Sequence, residues 1–170
     1  MLAASLATVW STLATGYDCP SSPSFIHASA KVTSVAQASC ENVREEMLAR
    51  IDGQFETWHD PHNNGTYAVL DASGSDKLVL QRTTGNRKYV DKLAFVLQST
   101  SSSTCTLLGC SESQTTSVAD FGTNYCNIRM LYCGTADGCK PVEHDLNTTE
   151  TSVSTSSPAA QHDIKLCLVA

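Results

Sequence analysis

The sequence predicts a mainly β protein: an antiparallel barrel or sandwich of about eight strands, preceded by one α-helix and stapled by disulfides. Three observations carry this expectation. An apolar stripe at helical spacing runs through residues 35–51, eight short strand-like segments follow it, and all eight cysteines lie beyond residue 16. At 170 residues and 41% hydrophobic composition the chain has material for one core, so residues 17–170 are expected to form a single domain.

Residues 1–16 contain no charged side chain and carry an apolar run from Leu2 to Trp10 that ends in the small residues Ala14, Thr15 and Gly16. The run is too short for the about 20 apolar residues that a bilayer core requires, so no transmembrane segment is expected. Ala14 and Gly16 fit the small-residue rule for signal peptidase, and residues 1–16 read as a signal peptide cleaved before Tyr17. The expected location is secreted, extracellular.

Within residues 35–51, Ala36, Cys40, Val43, Met47 and Ile51 recur every three or four positions and draw one helical face. Ser34 is the expected cap with Gln37 in capping-box position, Glu46 and Arg50 form an i,i+4 pair, and Gly53 supplies the stop. Cys40 lies on the apolar face, where a disulfide would pin the helix to the sheet.

Strands are expected at 54–59, 66–72, 77–83, 88–98, 105–110, 117–121, 125–133 and 163–169. Alternation is clearest in Tyr67 and Val69, in Leu78 and Leu80, in Leu93, Phe95 and Leu97, in Ile128, Met130 and Tyr132, and in Ile164, Leu166 and Leu168. Asn63-Asn64-Gly65 and Thr84-Gly85-Asn86 have hairpin-turn chemistry, and residues 72–76 form a longer polar turn. Eight strands need their edges closed or covered, which favours a barrel, with a sandwich as the rival.

Cys19, Cys40, Cys105, Cys110, Cys126, Cys133, Cys139 and Cys167 form an even set downstream of a secretory signal, which reads as a disulfide framework. The rival is zinc on Cys126, Cys133, Cys139 and His144, but the cysteine spacings exceed the usual zinc knuckle, and no metal or other cofactor is expected. Asn64-Gly65-Thr66 and Asn147-Thr148-Thr149 are glycosylation sequons; the second opens residues 147–160, a Thr/Ser-rich stretch expected to be a loop. Net charge is −6, and the only basic grouping, Arg82, Arg87, Lys88 and Lys92, reads as a solvated hairpin tip, so no nucleic-acid partner is expected.

Gly53-Gln54-Phe55 with Trp58, and about seventy residues later Asp120-Phe121-Gly122-Thr123-Asn124-Tyr125, together resemble the lipocalins. Their first strand carries Gly-x-Trp, and a Thr-Asp-Tyr turn flanks their sixth and seventh strands; here Phe55 replaces the tryptophan and Asn124 the aspartate. The chain departs from that pattern by placing its helix before the strands and by lacking the barrel-closing arginine near Cys167. The resemblance implies a calyx over residues 53–169 with a small apolar ligand inside.

No catalytic residue is assigned. His59-Asp60-Pro61-His62 could ligate a metal with a third group from His144 and Asp145 or His162 and Asp163, yet its composition is that of a turn with His62 in solvent. Glu112 and Asp120 read as surface carboxylates, and no nucleophile elbow or phosphate-binding loop occurs. The favoured function is a secreted, non-enzymatic binding protein for a small apolar or amphipathic ligand, contacted by Tyr67, Leu80, Phe95 and Met130 on inward faces. The alternatives are a glycosylated surface or matrix protein that meets an extracellular partner without a pocket, and a secreted metal-dependent hydrolase.

Overall fold

The structure is a computed structural model that describes residues 17–156 and 162–169. The proposed signal peptide and residues 157–160 of the Thr/Ser-rich stretch lie outside the described residues. The elements run β1 (Ser29–Ala36), α1 (Cys40–Gly53), β2 (Thr66–Asp71), β3 (Lys77–Thr83), β4 (Val90–Ser101), β5 (Thr104–Ser113), α2 (Thr123–Arg129), β6 (Thr148–Thr155) and α3 (Ile164–Cys167). All neighbouring strands are antiparallel, in the order β2-β3-β4-β5-β1-β6. This is one six-stranded sheet, not closed into a barrel, with β2 and β6 at its edges.

One face of the sheet holds the core. Leu78, Leu80, Leu93, Phe95, Leu97 and Leu107 point inward at the expected alternate positions and pack with Val43 and Met47 of α1 and Ile128 of α2. Gly109 of β5 lets α2 approach, because a Cβ there would stand 2.6 Å from Ile128 Cγ2. On the other face the segment before β1 is held by Cys19–Cys110 and by Tyr17, whose hydroxyl donates to Gly109 O at 2.6 Å.

All eight cysteines are paired: Cys19–Cys110, Cys40–Cys105, Cys126–Cys167 and Cys133–Cys139. Cys40–Cys105 ties α1 to β5, as its place on the helical stripe suggested. Cys126, Cys133 and Cys139 therefore carry disulfides where zinc was the rival.

Four expected strands have other conformations. Residues 54–59 are turns after α1, 117–121 are irregular, and 125–133 and 163–169 are mostly helical. In the 125–133 segment the apolar alternation misleads because Asn124, Tyr125, Cys126, Asn127, Ile128 and Arg129 are all buried, and a helix buried all round carries no one-sided stripe. Asp163 caps α3, accepting from Lys165 N at 2.9 Å.

Two strands occur where none was expected. In β1 the inward residues are the small Ala30, Val32, Ser34 and Ala36, too weakly apolar to announce a strand. Ser39 rather than Ser34 caps α1, its Oγ accepting from Asn42 N at 3.1 Å. Most of the Thr/Ser-rich stretch is β6, where β-branched threonines suit an edge strand paired on one side with β1. The residues that carry the lipocalin resemblance, Gly53 to Phe55 and Asp120 to Tyr125, lie at the end of α1 and the start of α2.

A buried ion pair anchors the long connection after α2. Arg50 donates to Glu46 Oε1 at 2.7 Å and, from the same guanidinium, to the carbonyls of Met130 and Cys133, both at 2.7 Å. Glu46 in turn accepts from the backbone N–H groups of Val142, Glu143 and His144 at 2.9, 2.7 and 2.7 Å. Burial raises the Glu46 carboxyl, but these donors outweigh it and hold the group below the usual carboxylate range.

Candidate functional site

The strand register that builds the core also lays a polar row across one end of it. Tyr67 of β2 faces Arg82 of β3, Arg82 faces Asp91 of β4, and Asp91 faces Ser113 of β5. All four are buried on the helix-bearing face. The next row inward, Val69, Leu80, Leu93 and Ser111, is largely apolar. A period of two thus turns Arg82 and Asp91 inward with the leucines that precede and follow them.

Arg82 is fully buried, and its guanidinium is committed to Asp60, with Nε and Nη2 at 2.8 and 2.7 Å from Oδ2. Nη2 also donates to His62 O. Gly65 makes room for this group, since a Cβ there would lie 2.1 Å from the Arg82 guanidinium carbon. Asp60 Oδ1 accepts from His62 N at 2.9 Å, and the Tyr67 hydroxyl sits 3.1 Å from Asp60 Oδ2 and 3.0 Å from Asn127 O.

Through Asn127 the network continues into α2 and β5. Asn127 Nδ2 donates to Asp91 Oδ2 at 2.8 Å and to Ser111 Oγ at 3.1 Å. Ser111 Oγ donates to Asn124 Oδ1 at 2.6 Å, and Asn124 Nδ2 donates to Ser113 Oγ at 3.0 Å and to Asp120 Oδ2 at 2.9 Å. Burial pushes the Asp91 carboxyl above its usual range against the donors Ser113 and Asn127. Burial, reinforced by the Arg82 charge, pushes the His62 imidazole down and favours its neutral form.

This polar row underlies a groove of about 690 Å³. Its walls are the turn at Asn63 and Asn64, the β3–β4 turn from Thr84 to Tyr89, and the 113–123 loop; Asp91 and Ser113 belong to its lining. Tyr89 and Phe121 stand at the rim, 50% and 75% exposed, with Val118 also exposed. Gly85 is fixed there by crowding, because a Cβ would meet Asn63 O at 2.8 Å and Asn64 O at 2.9 Å. Thr123 Oγ1 links the lining to the buried network at 3.3 Å from His62 Nε2.

The residues expected to line an internal ligand cavity are elsewhere. Leu80, Phe95 and Met130 are buried in the continuous core, and Tyr67 is buried with its hydroxyl in the Asp60 network. Tyr67 also borders a shallower depression between α1 and β2, with Leu48, Ile51 and Phe55. His59 is exposed, whereas Asp60 and His62 are buried, contrary to the expected solvent-facing turn; Asp60 is bound by Arg82. Arg82 is likewise not part of a solvated hairpin tip. Glu112 approaches His27 at 3.8 Å, while Asp120 accepts from Asn124 N at 3.0 Å, so these two carboxylates serve separate local structures. Among the described residues, the groups of three metal-ligating side chains are Cys19, Cys110 and Glu112, where both sulfurs are in a disulfide, and the surface trio Glu45, Glu143 and His144. The sequons Asn64 and Asn147 are both exposed, and Asn64 lies on the groove wall.

The groove was missed because its residues carry unrelated short patterns, the Asn64 sequon, the Thr84-Gly85-Asn86 turn and the Asp120–Thr123 part of the lipocalin resemblance, which do not point to one site; the available signal was that Arg82 and Asp91 continue the inward alternation of Leu78, Leu80, Leu93 and Phe95. No family model matches this chain, and no curated protein matches it. Among solved structures, the chain is similar to CalU16 from Micromonospora echinospora at 14% identity and a TM-score of 0.37, over 54% of this chain and 62% of that one.

Proposed function

We propose that this chain is a secreted, non-enzymatic binding protein that takes a small amphipathic ligand in the groove between the β3–β4 turn and the 113–123 loop. The observation that carries the reading is the pairing of a buried, hydrogen-bonded polar floor, Asp91 and Ser113, with the exposed rings of Tyr89 and Phe121 at the same opening. Ligand sites commonly combine apolar surface with a few fixed polar groups in volumes of about 300–1,000 Å³. Four disulfides, two of them anchored on β5 and one on α2, fit folding in an oxidising compartment, and among the described residues no helix is long and apolar enough to cross a membrane. In this reading the ligand meets the groove, and Leu80, Phe95 and Met130 support it as core.

Saturation-transfer NMR with 2-phenylethanol as an amphipathic probe tests the reading. Binding that Tyr89→Ala and Phe121→Ser each weaken is the expected result. Binding unchanged by both substitutions, or no transfer at millimolar probe, would refute it.

A further inference from the structure

We propose that the groove selects organic cations, with a primary ammonium directed to the Asp91 and Asp120 carboxylates and an apolar body against Tyr89 and Phe121. The inference rests on the groove being a ligand site and names the ligand's charge.

The argument begins with charge accounting around the groove. Asp91 and Asp120 both belong to the lining, which includes no lysine, arginine or histidine among the described residues. Three carboxylates, Asp60, Asp91 and Asp120, surround the buried network against one guanidinium, Arg82, which bonds directly to Asp60 at 2.7 Å and whose charge also reaches Asp91. Arg87 and Lys88, within the β3–β4 turn that forms one wall, are exposed and outside the lining. Burial and the Arg82 charge push the His62 imidazole down, favouring its neutral form.

The two remaining carboxylates are satisfied by neutral donors. Asp120 accepts from Gly122 N at 3.3 Å, from Asn124 N at 3.0 Å and from Asn124 Nδ2 at 2.9 Å, and Asp91 accepts from Asn127 Nδ2 at 2.8 Å. Such dipoles orient a carboxylate without cancelling its charge, and burial makes the Asp91 group costly to keep ionised despite its donors and the nearby Arg82 charge. A cation in the groove removes that cost, and an anion adds to it. The half-exposed Tyr89 ring and the more exposed Phe121 ring add faces that attract an ammonium group. A net charge of −6 further favours the approach of cations. A bare metal ion fits less well, because no group of three ligating atoms among the described residues falls in the groove and its volume is about 690 Å³.

Isothermal titration of the full mature protein with three matched probes decides the matter: phenethylamine, 2-phenylethanol and 3-phenylpropionate. The expected order is phenethylamine about tenfold tighter than the alcohol, and the propionate weakest. Asp91→Asn and Asp120→Asn should each weaken the amine by about tenfold, clearly more than either weakens the alcohol, with circular dichroism confirming that both variants fold. Equal affinity for amine and alcohol, or an amine affinity insensitive to both substitutions, overturns the charge assignment while leaving an amphipathic groove. Absence of binding by all three probes overturns the groove reading itself.

Discussion

Replacing Arg82 with methionine keeps most of the side chain's bulk and deletes its charge. The substitution removes the Nε and Nη2 contacts to Asp60 at 2.8 and 2.7 Å, the bond to His62 O, and the guanidinium 5.6 Å from the Tyr67 ring centre. Breaking a buried pair from one side costs about 3–5 kcal/mol, because the partner charge stays behind. Asp60 retains His62 N at 2.9 Å and the Tyr67 hydroxyl at 3.1 Å, which places the expected loss at the lower end, about 3 kcal/mol. At about 2–4 °C per kcal/mol for a domain of this size, the melting midpoint falls by roughly 6–12 °C. Thermal unfolding followed by circular dichroism under non-reducing conditions reads this directly. The double variant Asp60→Asn with Arg82→Met should melt above the single Arg82→Met variant, since no unpaired charge remains. A single variant within about 2 °C of wild type, or a double variant lower than the single, would refute the buried-pair account.

Three further outcomes follow from the same contacts. Glu46→Gln should destabilise most at neutral pH: the Glu46 carboxyl is depressed on folding, so its contribution is present above its unfolded value of about 4.3 and lost as pH falls through the lower folded value. Melting curves at pH 7 and pH 3 should show the gap to wild type narrowing in acid; a constant gap would count against it. Asp91 has the opposite sign, because its carboxyl is raised on folding. Its contribution is full below about 3.9 and lost as pH rises through the folded value, so Asp91→Asn should gain on wild type as pH rises toward neutrality in the same melts, and a loss would contradict the assignment. Replacing Cys40 and Cys105 together by alanine opens a loop of sequence separation 65, and guanidinium unfolding should report a loss of about 4 kcal/mol. A loss under about 1 kcal/mol would mean that the helix is held to β5 without the bridge.

Legibility followed burial on one side. β3 and β4 face core on one side only, so Leu78, Leu80, Leu93, Phe95 and Leu97 show the period of two and were read correctly. The stripe on α1 was equally clear, and with it the role of Cys40, but the helix start was misplaced because Ala36 and Val35, read as helical, close strand β1. Helix α2 is buried around its circumference, and β1 turns only Ala30, Val32, Ser34 and Ala36 inward; neither writes a strong periodic signal. An open sheet covered by helices, rather than a closed barrel, follows from those two elements. The groove was hidden for a related reason. Arg82 has the composition of a turn tip and Asp91 that of a surface strand, and only the register that joins them to Tyr67 and Ser113 shows both to be inside.

A two-dimensional amide NMR titration of the isotopically labelled protein with phenethylamine tests the groove as the ligand site. Saturating shifts confined to the amides of Gly85, Tyr89, Ser113, Asp120 and Phe121 are the predicted result, since these residues line the groove. Shifts centred instead on Phe55 and Val69 at the α1–β2 depression, or spread through Leu80 and Phe95 in the core, would contradict it.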